Sequence, residues 1–153
     1  MDTIQDQLMR QFQGMDNAYE AYAKSKGLTY LSLMVLEVIC ELGEGCTQKQ
    51  ISENTHYPKQ SINLVVRSFW EKGLVELKEQ PENRKNKSIT LTEKGRELCR
   101  DAVEPLLRCE EQTMAEIGGK NSRELARLLA LYGATYCRRL GDLATAGKPS
   151  GSP

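Results

Sequence analysis

Lys59, Gln60, Ser61, Asn63 and Arg67 crowd into nine residues of one segment, and their side chains share a chemistry. Side-chain amides can pair with adenine edges, Arg and Lys with guanine or phosphate, and a serine hydroxyl with either. Interleaved with them are Ile62, Val65, Val66 and Phe69, spaced so that a helix would turn the apolar set inward and leave the polar set outside. On that helix Lys59, Asn63 and Arg67 follow one another at four-residue spacing on one surface. Thr47 and Gln48 lie just upstream, and a second basic group, Arg84, Lys85 and Lys87, lies just downstream. A solvated helix face can carry the same residue types, so the neighbouring elements must decide.

Those elements are legible in order. Thr47 and Gln50 have the spacing of a capping box, opening a short helix to about residue 54. Pro58 disfavours helical geometry before it and suits the first turn of a new helix. That helix runs to about residue 72, where Gly73 supplies the left-handed stop. Residues 74–78 and 88–91 read as two short strands, and the polar stretch 79–87 between them as an extended hairpin tip. Short helix, tight turn, second helix and charged hairpin make a winged helix-turn-helix, whose second helix can enter a major groove.

Helices flank this unit. From residue 2 to 26, Ile4, Leu8, Phe12, Met15, Tyr19 and Tyr22 form a stripe that Gly27 ends, and Thr29 caps a second helix closed by Gly43. Thr92 caps a long helix to Ile117, expected to bend at Pro105 where a donor is lost. A last helix opens at Asn121 or Ser122 and carries Leu125, Leu128, Leu129, Tyr132, Tyr136, Leu140 and Leu143. The organisation expected is an N-terminal dimerisation helix at 1–28, the winged helix-turn-helix domain at 29–100, C-terminal dimerisation helices at 101–143 and a disordered tail at 144–153. The fold class is mainly α with a small β component (α+β). The stripes Leu8/Phe12/Met15/Tyr19 and Leu128/Tyr132/Tyr136/Leu140 would face water on a single copy, which predicts a two-fold homodimer.

Composition narrows the function. The 153 residues carry 21 basic and 21 acidic side chains, yet residues 47–100 hold eleven Lys/Arg against seven Asp/Glu, so the positive charge gathers in the segment with the reading chemistry. No apolar run reaches the roughly 18 residues that span a bilayer, and the first ten residues lack the character of an export signal, which predicts a cytoplasmic protein. One histidine, His56, and five cysteines without a Cys-x-x-Cys pair offer no ready metal site and no cofactor. An enzyme would need an activated nucleophile, a phosphate loop or a nucleophile elbow, and none is visible. A disulfide framework is not expected either. Cys40, Cys99, Cys109 and Cys137 fall in helical stretches as small buried hydrophobes, and Cys46, beside a turn, is the best candidate for an exposed thiol.

Thr47-Gln48-Lys49-Gln50-Ile51, Pro58-Lys59-Gln60-Ser61-Ile62-Asn63, Glu71-Lys72-Gly73-Leu74-Val75 and Leu91-Thr92-Glu93-Lys94-Gly95, in their mutual spacing, resemble the MarR family. The resemblance spans residues 47–95. It implies a bacterial homodimer on palindromic double-stranded DNA, with a pocket for a small-molecule effector between the dimerisation and DNA-binding parts. The function so implied is a transcriptional regulator, a repressor released by its effector; the rival reading is a winged helix used for protein contacts without DNA. Members often carry Asp-x-Arg in the wing, the Asp bracing an Arg in the minor groove, whereas this chain has Asn83-Arg84-Lys85. Members that sense oxidants through the first helix carry a cysteine there, which this chain lacks. Tyr19, Tyr22, Tyr30 and Met34 are the candidate effector-pocket residues. Trp70 is expected under the wing, and His56 exposed in the turn or against a phosphate.

Overall fold

The computed structural model describes residues 1–147, which divide into two units, one ending at Leu107 and one beginning at Arg108. In the first unit, α1 (Ile4–Ser25) opens on a capping box in which Thr3 accepts from the Asp6 N–H and Asp6 accepts from the Thr3 N–H. It ends before Gly27, whose φ of +71° turns the chain so that the Leu28 N–H donates to the Ala23 carbonyl at 2.9 Å. α2 (Tyr30–Leu42), capped by Thr29, buries Leu33, Val35, Leu36 and Ile39. Its apolar residues cover more than one stripe, as suits a helix packed on several sides.

A two-residue strand, β1 (Cys46–Thr47), leads into α3 (Gln48–Thr55). The expected box is present: Thr47 Oγ1 accepts from the Gln50 N–H at 3.3 Å and Gln50 Oε1 accepts from the Thr47 N–H at 2.9 Å. α4 (Lys59–Glu71) follows, with Ile62, Val65, Val66 and Phe69 buried as the periodicity predicts. Then β2 (Val75–Gln80) and β3 (Asn83–Leu91) form the wing, and β1 pairs with the far edge of β3 to give the antiparallel order β1-β3-β2. The core joins every layer of this unit: Leu36 and Ile39 from α2, Ile51 from α3, Phe69 from α4, Val75 and Ile89 from the sheet and Val103 beyond it are all essentially inaccessible.

Two expectations about the wing need correction. The strands run past the expected ends at 78 and 88, so the tip shrinks to Pro81 and Glu82. A ribbon exposed on both faces pairs through its backbone and shows no apolar alternation, which is why its length escapes a pattern-based reading. β1 escapes for a simpler reason: two residues carry no period.

After the wing come α5 (Glu93–Leu98), a π-helical turn (Cys99–Val103) and α6 (Glu104–Ile117). The irregularity expected at Pro105 is taken up just before it, where the Glu104 N–H donates to the Cys99 carbonyl, five residues back. A proline cannot donate and crowds the carbonyl four residues earlier, so widening the preceding turn accommodates it within a continuous helix. The Tyr22 hydroxyl donates to the Ala102 carbonyl in this turn at 2.7 Å.

In the second unit, Gly118 (φ +84°) separates α6 from α7 (Gly119–Ala146). Asn121 and Ser122 do not cap α7 but lie in its first turn, bonding back to the Ile117 and Gly118 carbonyls. Of the expected disordered tail, Ala144–Ala146 continue α7, and residues 148–153 lie outside the described residues. α7 buries no residue within one chain.

Cys99 is buried as expected, but the other cysteines and their pairing differ from expectation. Cys40 on α2 and Cys99 at the start of the π turn form a disulfide across 59 residues of sequence. Cys46 is buried, not exposed, because β1 turns it beneath the sheet opposite Ile89, and burial pushes its thiol pKa up. Cys109 and Cys137 are exposed, since their helices bury nothing in the single chain.

Candidate nucleic-acid interface

The tight turn between α3 and α4 depends on an unusual backbone. His56 adopts left-handed geometry (φ 58°), the one non-glycine residue to do so among the described residues. Local bonds hold it there: Ser52 Oγ donates to the Tyr57 carbonyl at 2.6 Å, and the Tyr57 N–H donates to Thr55 Oγ1, itself buried and donating to the Ile51 carbonyl. The His56 side chain is exposed. This turn sets the angle at which α4 leaves α3 and so presents its polar face.

That face borders a cleft of about 380 Å³ lined by Gln48 and Lys49 of α3, Lys59 and Asn63 of α4, and Leu77, Lys85, Asn86 and Lys87 of the wing. Four lysines and no carboxylate line it. Asn63 Nδ2 donates to Gln48 Oε1 at 3.2 Å, tying the two helices across the mouth. Such a cleft suits a polyanion, and the amides add groups able to sort base edges.

Of the residues singled out in the sequence, Gln48, Lys59, Asn63, Lys85 and Lys87 come together here. Thr47 is engaged as a helix cap. Ser61 is half-buried, while Gln60 and Arg67 are exposed elsewhere on α4, Arg67 Nε donating to Glu71 Oε1 at 3.1 Å. Arg84 is exposed on the wing. Lys49 and Asn86 were missed; the signal for Lys49 was its place in the first turn of the capped helix, beside Gln48. Trp70 is 55% exposed and does not pack under the wing.

At the wing, Glu79 pairs with Lys87 but Gln80 with Asn83, so Arg84, Lys85 and Asn86 stand opposite a single step of β2. A bulge of this kind re-aims side chains at the tip. Asn83 Oδ1 accepts from the Lys85 N–H at 3.2 Å, so the asparagine braces the bulge backbone.

The aromatic candidates separate. Tyr19 and Tyr30 meet with ring centroids 4.6 Å apart; the Tyr19 hydroxyl donates to Glu37 and the Tyr30 hydroxyl to Asp16 at 3.0 Å. Desolvation first, then the Asp16 bond and charge, push the Tyr30 pKa up to about 12. Met34 is half-buried on α2, and Tyr22 turns away to the π turn, with Lys26 Nζ 5.9 Å from its ring centroid. A second cavity, of about 430 Å³, is lined by none of these four; Lys26, Lys72, Lys94 and Leu98 are among its walls.

A family model described as MarR family matches residues 26–85. No curated protein matches the chain. Among solved structures, CouR from Rhodococcus jostii RHA1, bound to p-coumaroyl-CoA, is 27% identical, with 84% of this chain and 90% of that chain covered and a TM-score of 0.69. NMB1585, a MarR family regulator from Neisseria meningitidis, is 26% identical over 90% of this chain and 96% of its own, with a TM-score of 0.72. The S. aureus MepR–DNA complex, 15% identical over 88% and 97%, shares the fold with a TM-score of 0.71. The matched segment holds the helix-turn-helix and the first strand and tip of the wing, and the structural likeness extends through the flanking helices: residues 26–85 match the MarR family, and the chain is similar in fold to its winged-helix transcriptional regulators.

Proposed function

We propose that the chain is a homodimeric repressor that binds palindromic DNA and is released by a small-molecule effector. The observation that carries this reading is the lysine-lined cleft between α3, α4 and the wing, where Asn63 and Gln48 add base-sorting amides to a phosphate-binding charge. In a two-fold dimer the α4 helices enter successive major grooves and the wings reach the flanking minor grooves. The exposed Leu8 and Met15 of α1 and Leu128, Tyr136 and Leu140 of α7 supply the surface for the second copy. The effector enters beside Tyr19 and Tyr30 and favours a dimer whose α4 helices are wrongly spaced for DNA. Support for such an effector comes from the relative CouR, solved with p-coumaroyl-CoA.

A salt titration of binding to a selected duplex and a scrambled one tests the reading. Asn63→Ala loses preference for the selected duplex, roughly 1–3 kcal/mol per half-site contact, with little change in salt slope. Replacing Arg84 and Lys85 together by Ala weakens both duplexes and lowers the slope by roughly one for each phosphate no longer neutralised. If both variants, folded and dimeric, bind DNA as the wild type does, this surface does not read DNA and the protein-contact reading replaces it.

A further inference from the structure

Leu64 lies in the middle of α4 and is 69% exposed. A single exposed leucine is ordinary on a protein surface; its position here is what matters. A helix advances about 100° per residue, so Leu64 lies about 150° around α4 from the centre of the face formed by Ile62, Val65, Val66 and Phe69. Gln60, one turn before, and Arg67, one turn after, flank it within about 60° on the same wheel. Lys59 and Asn63 turn toward the wing and line the cleft, whereas Leu64 does not line it. The outermost strip of the helix is thus Gln60, Leu64, Arg67 and Glu71, an apolar group held between an amide and the Arg67–Glu71 ion pair.

A helix seated in a major groove presents this strip to the base edges. Those edges offer donors, acceptors and a single apolar group, the C5 methyl of thymine. Leucine has no hydrogen bond to give a base or a phosphate, and pressed against an amino or carbonyl edge it would strip water without replacing it. We infer that Leu64 is a specificity-determining residue that selects a thymine in each half-site by packing on its C5 methyl. The thymine lies beside the base pairs within reach of Gln60 and Arg67. This inference rests on the DNA-binding reading above and adds to it a base that polar contacts alone would not choose.

Uracil differs from thymine only by the methyl. The full-length protein first selects duplexes from a random pool; in a selected duplex each thymidine is then replaced singly by deoxyuridine, and affinities are measured for the wild type and Leu64→Ala. The substitution sits on an exposed helix surface and introduces a better helix former, so the fold persists, as circular dichroism will show. The expected result is one thymidine per half-site whose replacement weakens wild-type binding about fourfold, the equivalent of one buried methyl group, while Leu64→Ala binds the two duplexes equally. If no thymidine-to-deoxyuridine change affects the wild type, or if Leu64→Ala keeps the discrimination, the assignment is overturned while DNA binding stands. If the wild type selects no sequence from the pool, the DNA-binding reading fails and takes the assignment with it.

Discussion

Tyr30 shows how one side chain reports its surroundings. Its phenol donates to Asp16 and lies near Glu37 and Tyr57, and partial desolvation adds to these in favouring the neutral form, up to a pKa of about 12. A group whose pKa is higher in the folded chain than in the unfolded one binds more protons when folded, so its stabilising effect is complete below about pH 10 and is lost as pH rises toward 12. Absorbance titration should therefore show a phenolate appearing near pH 12 that Tyr30→Phe removes; loss of only a transition near pH 10 would place Tyr30 in open solvent. The polar face of α4 was legible residue by residue, because periodicity alone separates it from Ile62, Val65, Val66 and Phe69. Trp70 and the cysteines were not, since a large ring at a helix edge can pack or project, and a thiol's partner 59 residues away leaves no local trace.

Several elements announced themselves by chemistry at their ends, as with the caps at Thr29, Thr47 and Thr92 and the glycine stop after α4, though not the start of α7, where Gly118 stands in place of a side-chain cap. The junctions those caps create are rigid, and Gly95 tests this. A Cβ there would stand 2.0 Å from the Leu74 carbonyl oxygen and 3.0 Å from Leu91 Cδ2. Leu74 cannot withdraw freely, because that oxygen accepts from the Thr92 N–H at 3.0 Å. Gly95→Ala should cost about 3 kcal/mol, at the upper end of overpacking penalties, seen as a lower urea midpoint with unchanged slope; a midpoint within error of the wild type would show that α5 is not pressed against this turn. The disulfide between α2 and the π turn makes a second prediction at the same scale. Closing a loop of 59 residues restricts the unfolded chain by about 4 kcal/mol on the chain-entropy account. Reductant should lower the urea midpoint of the wild type but leave a Cys40→Ser/Cys99→Ser double variant unmoved. Thiol titration in denaturant without reductant should count three of the five cysteines; a count of five would mean the bond does not form in solution.

For the whole molecule, the question is what covers the apolar residues that one chain leaves in water. Leu125, Leu128, Leu129, Leu131, Tyr136, Leu140 and Leu143 of α7 are each more than 40% exposed, and α7 buries nothing of its own. So extensive an apolar surface on a helix points to association. The stripes themselves were legible in the sequence, whereas what covers them was not, because periodicity identifies a face without saying what it meets. The proposed dimer would also change the arithmetic of DNA binding. With one half-site bound, the second would meet its α4 at a high effective concentration, so affinity for a two-half-site duplex would far exceed that for a single half-site. A Leu128→Glu/Leu140→Glu variant places two charges per chain in the proposed interface, where burying them unpaired is costly. Light scattering at micromolar concentration should report twice the chain mass for the wild type and a fall toward the single mass for the variant. The variant should keep the wild type's weak affinity for an isolated half-site, because the cleft lined by Lys59, Asn63 and Lys87 lies wholly in the first unit. It should lose the added affinity for the full palindrome. A wild type that scatters as a single chain would overturn the dimer, and a monomeric variant that still prefers the palindrome would show that the two α4 helices do not read DNA as a linked pair.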